Sequence, residues 1–165
     1  MCSYFSGGVN VFVFIQQCAL YSRMAMKKII LTDYIDYEFI LIGICTQMDD
    51  FKLCWNLNKQ LDIDLIRDIN DITSLHQKKK VDIFFSLFNH VDTENDLHYS
   101  IISNKSLSLN LIPEQKQTDY FLKISGEIEV LEPSEIVKKI KRIENVIAAF
   151  SIDISSLKSK DNIIF

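Results

Sequence analysis

Apolar and polar residues alternate along this chain with the periods of strands and helices. Residues 39–45 form a short apolar run rich in β-branched side chains, which predicts a buried strand. Asp49 or Asp50 then provides a cap for a helix whose apolar residues recur at steps of three and four. The predicted core-facing stripe of this helix consists of Phe51, Cys54, Leu57 and Leu61, widened by Leu53 and Trp55.

Two further apolar segments, residues 81–88 and 97–103, are separated by a cluster of polar turn-forming residues and predict a hairpin. If its turn centres on Glu94, His90 lies opposite His98. Two imidazoles beside two aspartates at a hairpin mouth have the donor atoms that hold a divalent metal. Histidine next to aspartate in an exposed turn also occurs without metal, and a pairing shifted by one residue separates the two rings.

A second helix is predicted to begin at Pro133, which suits a first helical turn, and to run to about Asn145. Residues 146–152 then predict a last strand. The expected apolar face of the helix consists of Ile136, Ile140, Ile143 and Ile147. Its outer face carries Lys138, Lys139, Lys141 and Arg142. Such a basic cluster either contacts phosphates or is a solvated helix face.

This order of elements predicts a single α+β domain over residues 26–155, with a mostly antiparallel sheet and two main helices on one face. Residues 156–165 form an apolar tail, which we expect to dock on the domain or on a partner. Residues 1–25 are interpreted as an extension outside the domain, either an over-extended reading frame or an apolar arm. Their mostly apolar run, residues 9–15, is too short to span a bilayer.

Composition narrows the classes of function. The chain has 165 residues, of which 48% are hydrophobic, and a formal net charge of −4, which argues against coating nucleic acid but leaves room for a local basic patch. Only four glycines are present, and none forms a glycine-rich nucleotide loop. In the body, Cys45 and Cys54 lack C-x-x-C spacing and are expected to be buried, which fits a reducing cytoplasm. No cofactor is expected, and an enzyme is the weaker class.

A motif of Ile112-Pro113-Glu114 followed by Asp119-Tyr120 stands out in the second half of the chain. It resembles the signature of the IPExxxVDY family of bacterial proteins, whose members have no assigned activity. Thr118 stands where the family pattern has Val, a nearly isosteric change that adds a hydroxyl. The resemblance covers roughly residues 27–165 and implies neither a partner nor a ligand.

The motif allows two interpretations. In the functional one, Glu114, Lys116 and Asp119 form a charged rim over a pocket floored by Tyr120 or Phe121. In the structural one, proline sets the turn, Asp119 accepts hydrogen bonds from N–H groups of the loop, and the tyrosine hydroxyl lies at the surface. The predicted binding loop consists of Ile112, Pro113, Glu114, Lys116, Asp119 and Tyr120.

The sequence therefore supports three functional hypotheses. The first is a cytoplasmic, non-catalytic interaction or accessory module that contacts a protein partner, or a second copy of itself, through the motif loop and the apolar tail. An RNA-associated accessory protein that uses the basic last helix is the alternative. A small-ligand or metal-binding protein is the third, with its site at His90 and His98 or beside Glu114 and Asp119. No membrane association is expected.

Overall fold

The computed structural model describes residues 39–76, 81–107 and 109–164. The interpretation of residues 1–25 lies outside these ranges. The described residues form an α+β domain with a six-stranded antiparallel sheet and two α-helices, which confirms the predicted fold class. The helices are α1 (Asp50–Leu61) and α2 (Pro133–Ile140). The strands are β1 (Phe39–Thr46), β2 (Ile66–Arg67), β3 (Ile72–His76), β4 (Val81–Phe85), β5 (Leu87–Asp92), β6 (Leu97–Ser103), β7 (Lys105–Ser106), β8 (Leu109–Asn110), β9 (Tyr120–Gly126) and β10 (Val146–Ser151).

The main sheet has the strand order β10-β1-β9-β6-β5-β2. β1 lies inside it, so Ile42 is opposite Leu122 on one side and Ser151 on the other. The pairs β3–β4 and β7–β8 are separate two-stranded ribbons. Because successive strand residues point to opposite faces, β1 and β9 supply side chains to both sides of the sheet.

The sheet is covered on both faces. Both helices pack on one face, where Leu57 and Ile140 join Ile42 and Leu122 in one core cluster. On the other face, Phe85 and Phe121 form a second cluster with residues of the motif loop and the C-terminal tail. The predicted placement of both helices on one face is therefore confirmed.

Helix α1 begins where its sequence predicted. The Asp49 side chain accepts a hydrogen bond from the Lys52 N–H at 2.8 Å and caps the first turn. The predicted stripe is partly wrong, however, because Phe51 is 64% exposed and Trp55 is 58% exposed. The sheet instead receives the face that consists of Leu53, Cys54 and Leu57.

Helix α2 is shorter than predicted. It begins at Pro133 as expected but ends at Ile140, and Asn145, with φ of 69°, lies in the turn that leads into β10. Ile143 is still buried in that turn, whereas Ile147 is 70% exposed. The helical period therefore stops before Ile147, which belongs to a strand.

The C-terminal tail docks on the domain. Ile163, the last residue of the short 3-10 turn Lys160–Ile163, is completely buried in the second core cluster. This outcome matches the expectation that the apolar tail would pack. No helix within the described ranges is long and apolar enough to cross a bilayer.

Candidate functional site

A buried asparagine organises the motif loop. Asn104 is fully buried, and its Nδ2 donates to the carbonyl oxygens of Gln115 and Thr118, both at 2.8 Å. Its Oδ1 accepts a hydrogen bond from the Ile112 N–H at 2.9 Å. The Asn104 side chain therefore satisfies backbone C=O and N–H groups of the loop that have no partner in a regular strand or helix. Sequence reasoning missed Asn104, because an asparagine in a polar connection looks like any other turn residue.

The apolar residues of the loop face inward. Ile112 is completely buried in the second core cluster, as is Leu111 before it. Ile112 was predicted to belong to a binding loop, and this part of the prediction is wrong, because its side chain reaches no surface. Pro113, Glu114 and Lys116 are exposed. The side chains that the loop exposes are therefore the Pro113 ring and polar groups, while its aliphatic side chains, Leu111 and Ile112, are buried.

Glu114 holds the C-terminal tail. Its Oε1 accepts hydrogen bonds from the N–H groups of Lys158 and Ser159, both at 3.0 Å, and from the Ser159 hydroxyl at 3.1 Å. Desolvation raises the pKa of Glu114, but the bonds from its own N–H, from the Ser159 hydroxyl and from the tail outweigh it, so the pKa is lowered. Glu114 therefore acts as a tail anchor rather than as part of a pocket rim.

Asp119 faces a different neighbour. Its Oδ2 accepts a hydrogen bond from the Thr46 N–H at 2.8 Å, and its Oδ1 pairs with the Lys105 ammonium at 2.5 Å. Asp119 thereby closes the end of β1. The structural interpretation expected it to accept hydrogen bonds from N–H groups of the loop, and that part is wrong, because its partners lie in β1 and β7. The structure does not bring Glu114 and Lys116 to this place.

A small cavity of about 200 Å³ lies beside this ion pair. Lys105, Asp119 and Tyr120 line it together with Ser103 and residues 46–48. The Tyr120 hydroxyl donates to the carbonyl oxygen of Met48 at 3.1 Å. Burial, followed by the nearby carboxylates Asp50 and Asp119, raises the pKa of Tyr120 to about 12. The phenol therefore stays protonated, and the polar groups of the cavity are occupied with one another.

Neither described cysteine is a thiolate at neutral pH. Cys54 is buried as predicted, and burial is the main cause that raises its pKa to about 12. Cys45 is only half-buried, which corrects the prediction, because its Sγ lies at the end of β1 and donates to the Gln117 carbonyl oxygen at 3.1 Å. Desolvation and then Asp119 raise the pKa of the Cys45 thiol as well. Both thiols are weak nucleophiles.

The histidine constellation does not form. His90 pairs with Tyr99, and Val91 pairs with His98, so the predicted register is wrong by one residue. The turn has four residues rather than five, because Asp96 adopts a left-handed φ of 51° that returns the chain early. Within the described ranges, no group of three or more His, Cys, Asp or Glu residues is arranged to hold a metal ion.

The basic cluster at α2 is exposed. Of its members, Lys138 forms an ion pair with Glu135 at 2.7 Å, within one turn of the helix. An exposed pair of this kind contributes little to stability. All four basic side chains of the cluster are exposed to solvent: Lys138, Lys139, Lys141 and Arg142.

The outer face of α1 carries two exposed aromatic residues, Phe51 and Trp55, one helical turn apart. The Phe51 ring meets Phe88 edge to face at 5.2 Å between centroids, so it is fixed at its base. The Lys59 ammonium lies 3.5 Å from the centroid of the Trp55 ring. We call Phe51, Lys52, Trp55 and Lys59 the α1 face.

The charges around the α1 face are unevenly matched. Asp49 caps the helix, and Asp50 pairs with Arg67 at 3.2 Å. Arg67 also pairs with Asp71 and lies over the Phe88 ring, 5.2 Å from its centroid. Asp50 and Asp71 thus share one arginine, whereas the structure pairs no carboxylate with Lys52 or Lys59 among the residues it describes.

A cavity of about 510 Å³ lies between the loop after β2 and the tail. Asp68 and Asp71 line it, but both accept hydrogen bonds within the domain, the first from Asn89 and the second from Arg67.

Comparison of this chain with protein-family models, curated proteins and solved structures finds no match. The functional argument therefore depends on the residues of the chain itself.

Proposed function

We propose that this chain is a cytoplasmic, non-catalytic protein-interaction module that binds a protein partner through the α1 face. One observation carries the proposal: Phe51 and Trp55, 64% and 58% exposed, stand one turn apart on a helix whose opposite side is buried. Aromatic residues and arginine are enriched where proteins bind one another, and a few large rings supply most of the binding energy. The motif loop and the tail, the surfaces favoured by the sequence, direct Ile112, Glu114, Asp119 and Ile163 to contacts within the domain.

Charge defines the partner more closely. The α1 face presents the ammonium groups of Lys52 and Lys59, three residues before and four residues after Trp55, and neither has an ion pair among the described residues. A partner that places an apolar side chain on the indole, with carboxylates beside it, matches both features. Complementary charge of this kind increases association rate and selectivity more than affinity.

The chemistry of the site at the end of β1 supports a non-catalytic role. Its thiol and its phenol have raised pKa values, and Asp119 is held by Thr46 and Lys105. A general base or nucleophile needs a tuned pKa and a free position toward a substrate. Each of these groups is instead bonded within the domain: the thiol to the Gln117 carbonyl oxygen, the phenol to the Met48 carbonyl oxygen, and Asp119 to Thr46 and Lys105.

We further propose that the chain belongs to the IPExxxVDY family. Thr118 is completely buried, so the fold treats the position as apolar, and the family pattern has Val there. The hydroxyl of Thr118 has no hydrogen-bond partner among the described residues, as expected of threonine in a valine site.

Trp55 makes the proposal testable without a label, because it is the only tryptophan of the chain. In the free protein we expect its emission to be readily quenched by iodide or acrylamide, since the ring is more than half exposed. A partner captured from native cells with the full chain as bait, then purified, should shift the emission to the blue and protect Trp55 from quenching. Binding should weaken with salt.

Two variants separate this surface from general stickiness. Trp55→Ala should reduce affinity at least tenfold, in the range of an interface hot spot, about 2 kcal/mol or more. The matched control is Phe84→Ala, which removes an aromatic side chain that is 56% exposed on β4. If no stoichiometric partner is recovered, or if both substitutions weaken binding equally, the proposal fails.

RNA binding through α2 is a second candidate function, favoured by the exposure of all four basic residues of that cluster. Fluorescence anisotropy with a single-stranded RNA at low salt tests it. Changing Lys138, Lys139, Lys141 and Arg142 to Glu should abolish binding, whereas changing the three lysines to Arg should retain it. An unmodified protein that does not bind RNA at low salt would exclude this function.

A further inference from the structure

Helices α1 and α2 lie next to each other on one face of the sheet, where Leu57 and Ile140 belong to the same core cluster. Helix α1 begins shortly after β1 ends, and the turn after α2 leads into β10, which begins opposite Thr46, the last residue of β1. The start of α1 and the end of α2 therefore meet at the same end of the sheet. A hydrogen bond from the Thr46 hydroxyl to the Asn145 carbonyl oxygen, at 2.8 Å, joins the two segments at this point.

A cavity of about 240 Å³ lies at this junction. It is lined by Lys52 of the α1 face, by Asn145 in the turn after α2, and by residues 47–49, which connect β1 to α1. Arg142, the last member of the basic cluster of α2, precedes Asn145 by three residues. The cavity therefore connects the α1 face with the basic cluster of α2, and the two are neighbouring parts of one surface.

We call the α1 face, the residues that line this cavity and residues 135–145 the two-helix surface. It is positive, although the chain as a whole has a formal net charge of −4. Two of its carboxylates have partners, since Asp49 caps α1 and Glu135 pairs with Lys138. Its cations outnumber its carboxylates by six to three: Lys52, Lys59, Lys138, Lys139, Lys141 and Arg142 against Asp49, Glu135 and Glu144.

We propose that the two-helix surface as a whole binds one acidic segment of the protein partner, which places an apolar side chain on Trp55 and carboxylates on the basic cluster of α2. The inference rests on the proposed function of the α1 face and adds where the charges of the partner bind. Exposed rings supply the binding energy, whereas complementary charges increase the association rate and the selectivity. A segment that crosses the cavity also meets the side-chain amides of Gln47 and Asn145, which hydrogen-bond peptide groups.

The carboxylate in the cavity favours a protein over a nucleic acid as the bound chain. Asp49 lines the cavity between Lys52 and the basic cluster of α2. A nucleic acid strand carries a negative charge at every nucleotide, so its backbone would have to pass this carboxylate while it contacts both sets of cations. A protein segment carries charge only at some of its residues. It can therefore place a neutral residue beside Asp49 and carboxylates on either side.

Three probes test this inference on the full chain. The first is a synthetic peptide in which Glu alternates with Leu and Phe, the second is the same peptide with Gln in place of Glu, and the third is a single-stranded RNA of equal charge. Protection of Trp55 from acrylamide quenching measures binding. We expect the acidic peptide to protect Trp55, with an affinity that falls as salt is added. The neutral peptide and the RNA should bind at least about tenfold more weakly.

Variants of α2 then test whether both helices contact the bound peptide. Lys139→Glu with Lys141→Glu should weaken binding of the acidic peptide about tenfold, whereas Lys139→Arg with Lys141→Arg should retain it. The matched control is Lys116→Glu with Lys158→Glu, which reverses two exposed lysines in the motif loop and the tail, on the other face of the sheet. This control should leave the affinity unchanged. Far-UV circular dichroism should be the same for all of these variants.

The outcomes separate this inference from the proposed function. If Trp55→Ala weakens binding of the acidic peptide but the glutamate pair in α2 does not, the α1 face binds alone and only the two-helix surface is wrong. If Trp55→Ala leaves binding unchanged, both proposals fail. The inference is also overturned if the acidic peptide does not bind, if the control pair weakens binding as much as the pair in α2, or if the RNA displaces the peptide.

Discussion

Thr118 offers the sharpest test of how the motif loop is held. Its side chain is completely buried, and its Oγ1 has no hydrogen-bond partner among the described residues. Thr118→Val replaces the hydroxyl by a methyl group of nearly the same size. The change therefore keeps the packing of the loop and removes a polar group that is buried without compensation.

The magnitude follows from the cost of that group. An unsatisfied buried polar group costs about 1–3 kcal/mol. We expect Thr118→Val to raise the free energy of unfolding by about 1–2 kcal/mol. For a domain of this size each kcal/mol corresponds to about 2–4 °C, so the midpoint of thermal unfolding should rise by several degrees.

Thr46 supplies a control with the opposite sign. It is only 4% exposed, and its Oγ1 donates to the Asn145 carbonyl oxygen at 2.8 Å and accepts a bond from the Met48 N–H at 3.1 Å. Thr46→Val leaves the N–H of buried Met48 without its acceptor. It should lower the free energy of unfolding by about 1–3 kcal/mol.

Urea unfolding followed by far-UV circular dichroism measures both variants, with unchanged m-values as the sign that the unfolded state is unaffected. If Thr118→Val is neutral or destabilising while Thr46→Val destabilises, the Thr118 hydroxyl is bonded in solution and the reasoning fails. If both variants raise the free energy of unfolding, the effect reflects the greater hydrophobicity of buried valine rather than hydrogen bonding.

Three further predictions concern ionisable or polar contacts. Glu114→Ala should speed amide exchange at Ser159, while Glu114→Gln should largely preserve protection. Because the pKa of Glu114 is lowered in the folded protein, wild-type protection should persist above the ordinary glutamate pKa and be lost as the pH falls through the folded-state value. Asn104→Asp sets a carboxylate against two carbonyl oxygens, so it should destabilise at neutral pH in urea titrations and recover partly in acid. Burial lowers the pKa of Lys123, so thermal melts should show wild-type stability rising with pH toward the ordinary lysine pKa, and Lys123→Met should abolish that rise.

Local signals in the sequence identified the elements well. Asp49 caps α1 because an aspartate before an apolar period has a specific hydrogen bond to make, and Pro133 begins α2 because its fixed backbone angle suits a first turn. Each signal depends only on residues that are near it in the sequence. They need no knowledge of what the element packs against.

The orientation of α1 could not be predicted in the same way. Its apolar residues occupy two faces of the helix, since Leu53 points away from Phe51 and Trp55. The sheet selects one face for burial, and it selects Leu53 rather than the two aromatic residues. The exposed pair became visible only when the sheet was in place, because sequence periodicity alone does not rank competing faces.

The hairpin register failed for a related reason. A five-residue turn and a four-residue turn differ by one residue, and here the left-handed backbone of Asp96 goes with the shorter turn. The Asp92 side chain supports that turn by accepting the N–H groups of Glu94 and Asn95 at 3.0 and 3.2 Å. Asp92 and Asp96 were the very residues expected beside a metal. Because they form the turn, His90 lies opposite Tyr99 and His98 lies opposite Val91, instead of the two histidines facing each other.

The motif residues contact four different parts of the domain. Ile112 enters the core, Glu114 binds the tail, Asp119 closes β1, and Tyr120 reaches the start of α1 through Met48. A spacing that satisfies all four contacts constrains the loop tightly. The surfaces to test for function are therefore those exposed elsewhere on the described domain: the aromatic face of α1 and the basic cluster of α2.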